Sequence, residues 1–229
     1  MSDRPGPIVT LDGPAGSGKS TTACEVARRL GFRHLDSGAL YRALTYALLE
    51  AGIDEAAWPE LTQAEMDALG VDVVPAGERF DVLIGDRVVS DALRAPEVTS
   101  RVAKLAGLPA TRASLLALQR GAGRFGDLVA DGRDMGSVVF PDAAAKFYLV
   151  ADLKERARRR LREEGVEHPN DQVVAAQAEE MAQRDRADSE RAHSPLRRPS
   201  DAHLIDTTRL DFEEQVQTIV TWVERLTRE

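Results

Sequence analysis

Cysteine, lysine and asparagine are scarce in this chain of 229 residues, and each scarcity excludes a class of protein. The single cysteine, Cys24, rules out an intramolecular disulfide and a zinc site built from several cysteines, and it fits a reducing cytoplasm. No apolar run is long enough to span a membrane. These two absences predict a cytoplasmic protein with no membrane partner.

Lysine contributes only four of the 30 basic residues, so the other 26 are arginines, and the net charge is −8. An acidic chain lacks the basic surface that sequence-independent nucleic-acid binding requires, so we expect no nucleic-acid partner. The arginine excess by itself needs no functional explanation. It is nevertheless compatible with a local cluster that binds a small anion, because the planar guanidinium group pairs with phosphate in a bidentate manner.

Short apolar strands alternate with helical patterns along most of the chain, which predicts an α/β fold with a central parallel sheet. The order begins with strands at residues 8–11 and 32–35, separated by a helix at residues 21–30. Residues 60–97 break this rhythm with alternating strands and a turn signal. We therefore interpret them as a small antiparallel insertion.

The remaining predicted elements continue the alternation to the end of the chain, so residues 1–229 are interpreted as one core with one insertion. The helices lie at residues 40–51, 98–106, 109–120, 152–164, 171–191 and 211–226, and the strands at residues 128–130, 145–150 and 203–205. Residues 171–191 fit one helix or a helix pair. Thr208 or Asp211 would cap the last helix, and Cys24 is expected to be a buried apolar residue.

The segment between the first strand and the first helix carries the strongest signal in the sequence. It reads Gly13-Pro14-Ala15-Gly16-Ser17-Gly18-Lys19-Ser20, which matches G-x-x-x-x-G-K-[ST] at every specified position. Glycines let backbone N–H groups turn inward, and the helix N-terminus adds its positive end. Lys19 would reach the β- and γ-phosphates of ATP, and the Ser20 hydroxyl would bind the accompanying Mg²⁺.

This phosphate loop indicates nucleotide binding but no particular activity, because GTPases, motor ATPases and small kinases share it. The guanine-reading motif Asn-Lys-x-Asp is absent, since the only asparagine, Asn170, precedes Asp171. The sequence has no Leu-Ser-Gly-Gly-Gln signature of a transporter ATPase and is short for a motor. A small kinase is the class that remains.

Two polar clusters follow predicted strands and would lie beside the phosphate loop, because the carboxyl ends of parallel strands meet at one edge of a sheet. In residues 36–42, Ser37 would cap the next helix and Arg42 lies one turn further on. In residues 131–134, Asp131 stands where a carboxylate would organise Mg²⁺. A solvated helix charge at Arg42 and an ordinary polar loop at residues 131–134 are the competing interpretations.

Together these motifs resemble the bacterial-type cytidylate kinases, a family of nucleoside monophosphate kinases. The resemblance runs in order through residues 11–21, 35–42, 130–141, 184–185, 188–189, 191, 194–196 and 205–208. It implies a three-layer P-loop fold with an acceptor-binding insertion at residues 60–97 and a helical lid at residues 155–170. It further implies that a monomer transfers the ATP γ-phosphoryl group to CMP or dCMP, giving ADP and CDP or dCDP, in pyrimidine nucleotide metabolism.

The resemblance also implies roles for individual side chains. ATP would bind to residues 13–20, Thr21 and Arg156, with Mg²⁺ at Ser20 and Asp131. CMP would bind to Ser37, Arg42, Arg112, Arg133, Asp134, Arg184, Asp188 and Arg191. The transferring group would be stabilised by Lys19, Arg133, Arg159 and Arg160, with Arg156, Arg159 and Arg160 closing from the lid.

Spacing supports part of this assignment, because Arg184, Asp188 and Arg191 stand at i, i+4 and i+7 and share one face if the helix continues. A surface ion-pair ladder is the competing interpretation. Ala103 stands where the family usually has a serine near the pentose, which leaves the preference between CMP and dCMP open. A kinase for UMP, AMP or shikimate and a regulatory nucleotide-binding module without transfer also stay open.

Overall fold

A computed structural model describes residues 6–89 and 92–226, and within these ranges the chain forms eight strands and eight α-helices. The strands are β1 (Ile8–Asp12), β2 (Arg33–Asp36), β3 (Val71–Ala76), β4 (Arg79–Ile84), β5 (Arg87–Val88), β6 (Leu128–Gly132), β7 (Ala145–Val150) and β8 (His203–Asp206). The helices are α1 (Lys19–Leu30), α2 (Ser37–Glu50), α3 (Gln63–Asp67), α4 (Pro96–Leu105), α5 (Pro109–Ala122), α6 (Leu153–Glu163), α7 (Asp171–Glu190) and α8 (Phe212–Leu226).

The strands form one sheet in the order β3-β4-β2-β6-β1-β7-β8, with β5 paired to β4. Strands β2, β6, β1, β7 and β8 run parallel, which confirms the predicted parallel core. Within residues 60–97, β4 runs antiparallel to both β3 and β5, as expected. They extend the sheet through a single parallel pair, His34 beside Arg79. Residues 90 and 91 of this insertion, like residues 1–5 and 227–229, lie outside the described ranges.

Helices pack on both faces of the sheet and give the three layers. Strand residues alternate between the two apolar clusters, so Leu128 and Ala130 pack with α2 and α5, whereas Val129 packs with α1 and α8. Helices α6 and α7 share a third, smaller cluster. In the described ranges, no helix combines the length and the apolar character needed to cross a membrane.

The N-cap of α2 differs from the prediction. Asp36, in an extended conformation, caps the helix, and its Oδ1 accepts a hydrogen bond from the Ala39 N–H at 3.1 Å. Ser37 is the first helical residue, and its hydroxyl oxygen accepts a hydrogen bond from Gln119 Nε2 at 3.0 Å instead. The prediction of Ser37 as the cap was therefore wrong, because a residue from α5 engages its side chain.

The structure decides two alternatives that the sequence left open, at α8 and α7, and contradicts one prediction, at α1. Asp211, not Thr208, caps α8, and it exchanges hydrogen bonds with Glu214 in a capping box. Helix α7 is one continuous helix. Cys24 is exposed on α1, so its predicted burial was wrong. It lies outside the apolar stripe of that helix, which Ala23, Val26 and Ala27 occupy.

Candidate active site

The loop between β1 and α1 is shaped by its glycines. Gly13 has a φ of +152°, and a Cβ at this position would lie 2.2 Å from the carbonyl oxygen of Leu149. Gly18 has a φ of 84° and directly precedes α1. Lys19, the first residue of α1, turns back and donates to the Pro14 carbonyl at 3.2 Å. The loop therefore brings a helix N-terminus and an ammonium group to one place, which suits a phosphate.

The electrostatics of this loop favour an anion. Burial of Lys19, followed by the nearby charge of Arg133, lowers the pKa of its ammonium group to about 7. The Ser17 hydroxyl is fully buried and has no hydrogen-bond partner among the described residues. A polyphosphate would stabilise the charged form of Lys19, and the loop offers that anion a cradle of backbone donors.

Asp131 lies at the end of β6, where its carboxylate meets both the phosphate loop and β2. Ser20 Oγ donates to Asp131 Oδ2 at 2.5 Å, and His34 Nε2 lies 2.8 Å from Oδ1. Burial alone would raise the pKa of Asp131, but the hydrogen bond from His34 and nearby positive charges lower it, so the carboxylate stays ionised. A hydroxyl beside an ionised carboxylate is a donor set for a hard divalent cation such as Mg²⁺.

One cleft joins the phosphate loop to the predicted acceptor residues. It encloses about 680 Å³ of empty space, including its open mouth. The predicted site residues that line it are Lys19, Ser20, Ser37, Arg42, Arg112, Asp131, Arg133, Asp134, Arg184, Asp188 and Arg191. Ala103, the position that departs from the family pattern, lines it too. Residues separated by up to 172 positions, from Lys19 to Arg191, are thus brought together.

Carboxylates already pair with most of the arginines in this cleft. Arg42 contacts Asp36 at 2.7 Å, Arg112 contacts Asp134 at 2.8 Å, Arg133 contacts Asp188 at 3.1 Å, and Arg191 also pairs with Asp188. Arg184, Asp188 and Arg191 all line the cleft, although α7 ends at Glu190 and does not continue to Arg191, as a common helix face would require.

Arg184 is the exception among the cleft arginines. Within the described ranges it makes no ion pair, and its Nε is buried without a hydrogen-bond partner. Burial and the neighbouring charge of Arg133 lower the pKa of Arg184 to about 10. An uncompensated guanidinium group inside a cleft favours the binding of an anion there.

The three arginines predicted for the lid lie on α6, outside the set that lines the cleft. Arg156 is buried and donates to the Ala15 carbonyl at 3.1 Å and to Asp185 at 2.6 Å, so it ties the phosphate loop to α7. Arg159 donates twice to Thr207, at 3.0 and 2.7 Å. Arg160 pairs with Glu164 at 2.7 Å. Of these three arginines, Arg156 is the one that hydrogen-bonds to the phosphate loop.

Sequence reasoning missed several residues that shape the site. Asp12 accepts hydrogen bonds from the backbone N–H groups of Met135 and Gly136 at 2.9 and 2.8 Å, and burial raises its pKa to about 7. It thereby anchors the π-helical turn Met135–Val139, which follows Asp134. Tyr41 lines the cleft, and its hydroxyl accepts a hydrogen bond from Arg112 at 3.2 Å. For Asp12, the available signal in the sequence was an acidic residue at the end of a buried strand.

The sequence comparisons point to one family. The family model for cytidylate kinase matches residues 9–225. A cytidylate kinase from Exiguobacterium sp. is 41% identical over 221 residues, covering 95% of this chain and 96% of that protein. A cytidylate kinase from Methylococcus capsulatus is 43% identical over 224 residues, covering 95% and 97%. Among solved structures, a shikimate kinase from Acinetobacter baumannii aligns over 96% of this chain and 94% of its own, with 15% identity and a TM-score of 0.45.

Proposed function

The chain belongs to the cytidylate kinase family of nucleoside monophosphate kinases, and on that premise we propose that it transfers the γ-phosphoryl group of ATP to CMP, giving ADP and CDP. The observation that carries the proposal is a cleft lined by Lys19 of the phosphate loop and by five arginines, four of which are paired with carboxylates. A regulatory nucleotide switch needs only the half of the cleft formed by the phosphate loop. The second half is suited to an anionic acceptor.

Transfer between two nucleotides is mainly a matter of alignment and charge. The nucleophile is a phosphate oxygen of CMP, which is already ionised near neutral pH, so no general base is required. Lys19 would bind the β- and γ-phosphates of ATP. Arg133 would bind the acceptor phosphate and stabilise the transferring group, because it lines the cleft together with Lys19 and pairs with Asp188.

Ser20 and Asp131 would hold a divalent cation with ATP, and Mg²⁺ is the ion we propose. Their oxygen atoms suit it, because the carboxylate is ionised and buried while the hydroxyl reaches it from the phosphate loop. When bound, Mg²⁺ would neutralise part of the phosphate charge and fix the orientation of the phosphates.

The acceptor half offers complementary groups to each part of CMP. Arg42 and Arg133 would bind its phosphate, and Arg184 and Asp188 its pentose. Arg112 and Asp134 lie 2.8 Å apart and present a donor beside an acceptor. The amino group of cytosine would donate to Asp134, and its N3 would accept from Arg112. Uracil has an accepting carbonyl and a donating N–H at these positions, so this pair, with Ser37 and Arg191 nearby, would favour CMP over UMP.

Transfer must exclude water, because water would otherwise accept the phosphoryl group. Residues 155–170 would form the lid that closes over ATP, with Arg156, Arg159 and Arg160 on its first helix, and residues 60–97 would move with the acceptor.

We also place the enzyme in the cytoplasm as a monomer without a nucleic-acid partner. A small methyl group at Ala103 leaves room beside the pentose, which supports use of both CMP and dCMP.

A coupled assay of ADP release tests the proposed function with CMP, dCMP, UMP, AMP, shikimate and no acceptor. We expect rapid release with CMP and dCMP, and kcat/KM at least about 10²-fold lower with UMP, because the donor and acceptor groups of uracil oppose those of the site. Nucleotide binding without acceptor-dependent ADP release would identify a regulatory module. A preference for UMP, AMP or shikimate would identify a different small kinase.

Arg191→Met then tests the reading of the base. Arg191 lies within electrostatic range of Arg112, Tyr41 and Asp134. Its partner Asp188 also pairs with Arg133 and would remain paired in the variant, so the variant should fold. We expect the CMP-over-UMP ratio of kcat/KM to fall about tenfold, since one charged hydrogen bond to the base would be lost. An unchanged ratio would remove Arg191 from the base-reading set.

A further inference from the structure

His34 contacts the Asp131 carboxylate, the proposed metal ligand, without lining the cleft itself. Its Nε2 lies 2.8 Å from Asp131 Oδ1, while Ser20 Oγ lies 2.5 Å from Oδ2. His34 does not line the cleft but a separate surface groove, together with Cys24. The two oxygens of Asp131 therefore have different partners: Oδ1 contacts His34, and Oδ2 contacts the Ser20 hydroxyl.

The fold brings together two side chains of α1 and two of the sheet. Ser20 and Cys24 are one helical turn apart on the same face of that helix. His34 lies on β2 and Asp131 on the adjacent strand β6, where the parallel register of the two strands puts both side chains on one face of the sheet. Cys24 lines the same surface groove as His34, so the imidazole ring lies between a residue of α1 and the carboxylate of β6.

Hydrogen-bonding chemistry fixes the direction of the contact. An ionised carboxylate can only accept, so His34 Nε2 carries the proton and donates to Oδ1. The terminal torsion of an aspartate is otherwise broad and permits many orientations of the carboxylate plane. A donor bound to Oδ1 selects the orientation in which Oδ2 meets Ser20.

We infer that His34 is a positioning residue for the metal–ATP site, holding the Asp131 carboxylate in the orientation that binds a divalent cation together with Ser20. The inference rests on the proposed function, since it requires ATP to bind with a divalent cation at these two residues. Partners that hold a metal ligand in place typically change metal affinity by about 10–100-fold when removed.

Two substitutions of nearly the same shape separate positioning from packing. His34→Gln keeps an N–H donor at a similar distance from the backbone, whereas His34→Met has a similar length and cannot donate. The measurement is calorimetric binding of a β,γ-imido analogue of ATP, in Mg²⁺ and in EDTA. The Kd in EDTA divided by the Kd in Mg²⁺ reports how strongly the cation promotes nucleotide binding, independently of turnover.

We expect the ratio to fall at least about tenfold in His34→Met and to stay within about twofold of the wild-type ratio in His34→Gln. His203→Met is the matched control, because its ring packs against Trp222 away from the cleft, and it should keep the wild-type ratio. If His34→Met fails to fold in a thermal unfolding assay, His34→Asn replaces it, since its shorter amide cannot reach Oδ1.

Equal ratios in the wild type and in the variant without a donor at Oδ1 would overturn the inference. So would a fall of the same size in His34→Gln, because the lost property would then be packing of the imidazole ring. A wild-type protein that binds the analogue equally well in Mg²⁺ and EDTA would overturn both the inference and the proposed metal site. A normal wild-type ratio with unaffected variants would overturn the inference alone.

Discussion

The two halves of the cleft hold positive charge in opposite ways. In the phosphate loop, backbone N–H groups and the start of α1 supply it, together with Lys19, whose pKa is lowered by burial and by a neighbouring cation. In the acceptor half, Arg42, Arg112, Arg133 and Arg191 are each paired with a carboxylate. Fixed backbone dipoles cannot be neutralised by a mobile side chain, whereas a paired arginine can.

This difference has a consequence for binding. A polyphosphate entering the loop meets donors that are already oriented, so little reorganisation opposes it. An acceptor phosphate must share or displace carboxylates such as Asp36, and this competition lowers the affinity of the phosphate. A ligand that offers those carboxylates no hydrogen-bond donor binds more weakly still. On the proposed function, the loop half would therefore provide affinity and the acceptor half discrimination.

The largest effect is expected from Lys19→Ala, which removes the one side-chain cation of the phosphate loop. We expect kcat to fall by about 10²–10³-fold, the usual cost of losing an oriented charge at a transferring group. The Tm should be unchanged or higher, because a buried cation next to Arg133 is lost. Steady-state kinetics and thermal unfolding measure both quantities.

Lys104→Ala is the control for this change, since Lys104 is an exposed residue that pairs with Glu55 on the surface. It should leave kcat and KM unaltered. A kcat of Lys19→Ala within tenfold of the wild type would show that backbone dipoles alone carry the loop half.

The second effect is expected from Arg133→Met, at the junction of the two halves. We expect kcat/KM for CMP to fall by about 10²-fold, while the Kd of the imido ATP analogue changes less than about threefold. Arg28→Met, which removes an exposed arginine paired with Glu25 on α1, is the matched control. Equal losses for both nucleotides would mean that Arg133 belongs to neither half in particular.

The parts of this site that the sequence predicts are the contiguous ones. Residues 13–20 and 131–134 form local motifs, and their meeting at one edge follows from the parallel order of the strands, which alternation of strands and helices already indicates. The capping box of α3, formed by Thr62 and Glu65, also follows a local sequence pattern that indicates a helix N-terminus.

Contacts between distant residues could not be predicted in this way. Ser37 loses its capping role to Asp36 because Gln119, 82 positions later, occupies its hydroxyl. The contact of His34 with Asp131 depends on β2 lying beside β6, and no local pattern states which strands are neighbours. The pairing of each cleft arginine is likewise a product of the tertiary fold, so the contrast between the two halves is invisible in the sequence.

The smallest effect, and the most direct test of this contrast, is expected from Asp36→Asn. Asp36 caps α2 through Oδ1 and pairs with Arg42 through Oδ2. Asparagine caps helices as well as aspartate does, so the substitution removes the charge that competes with the acceptor phosphate and keeps the cap. Because the ion pair is partly exposed, about 0.2–1 kcal/mol is at stake, and we expect CMP to bind about two- to fivefold more tightly.

Calorimetry with CMP measures that gain, and the affinity for the imido ATP analogue should change less than the affinity for CMP. Asp36→Ala separates the two roles of this residue: it should show the same gain in CMP affinity and, because the cap is lost, a free energy of unfolding lower by about 1 kcal/mol. CMP binding that is unchanged or weaker in an Asp36→Asn protein of normal Tm would mean that Arg42 is fully available despite its partner. The acceptor half would then bind phosphate as the loop half does, with its arginines in effect uncompensated, and its selectivity would have to come from the base alone.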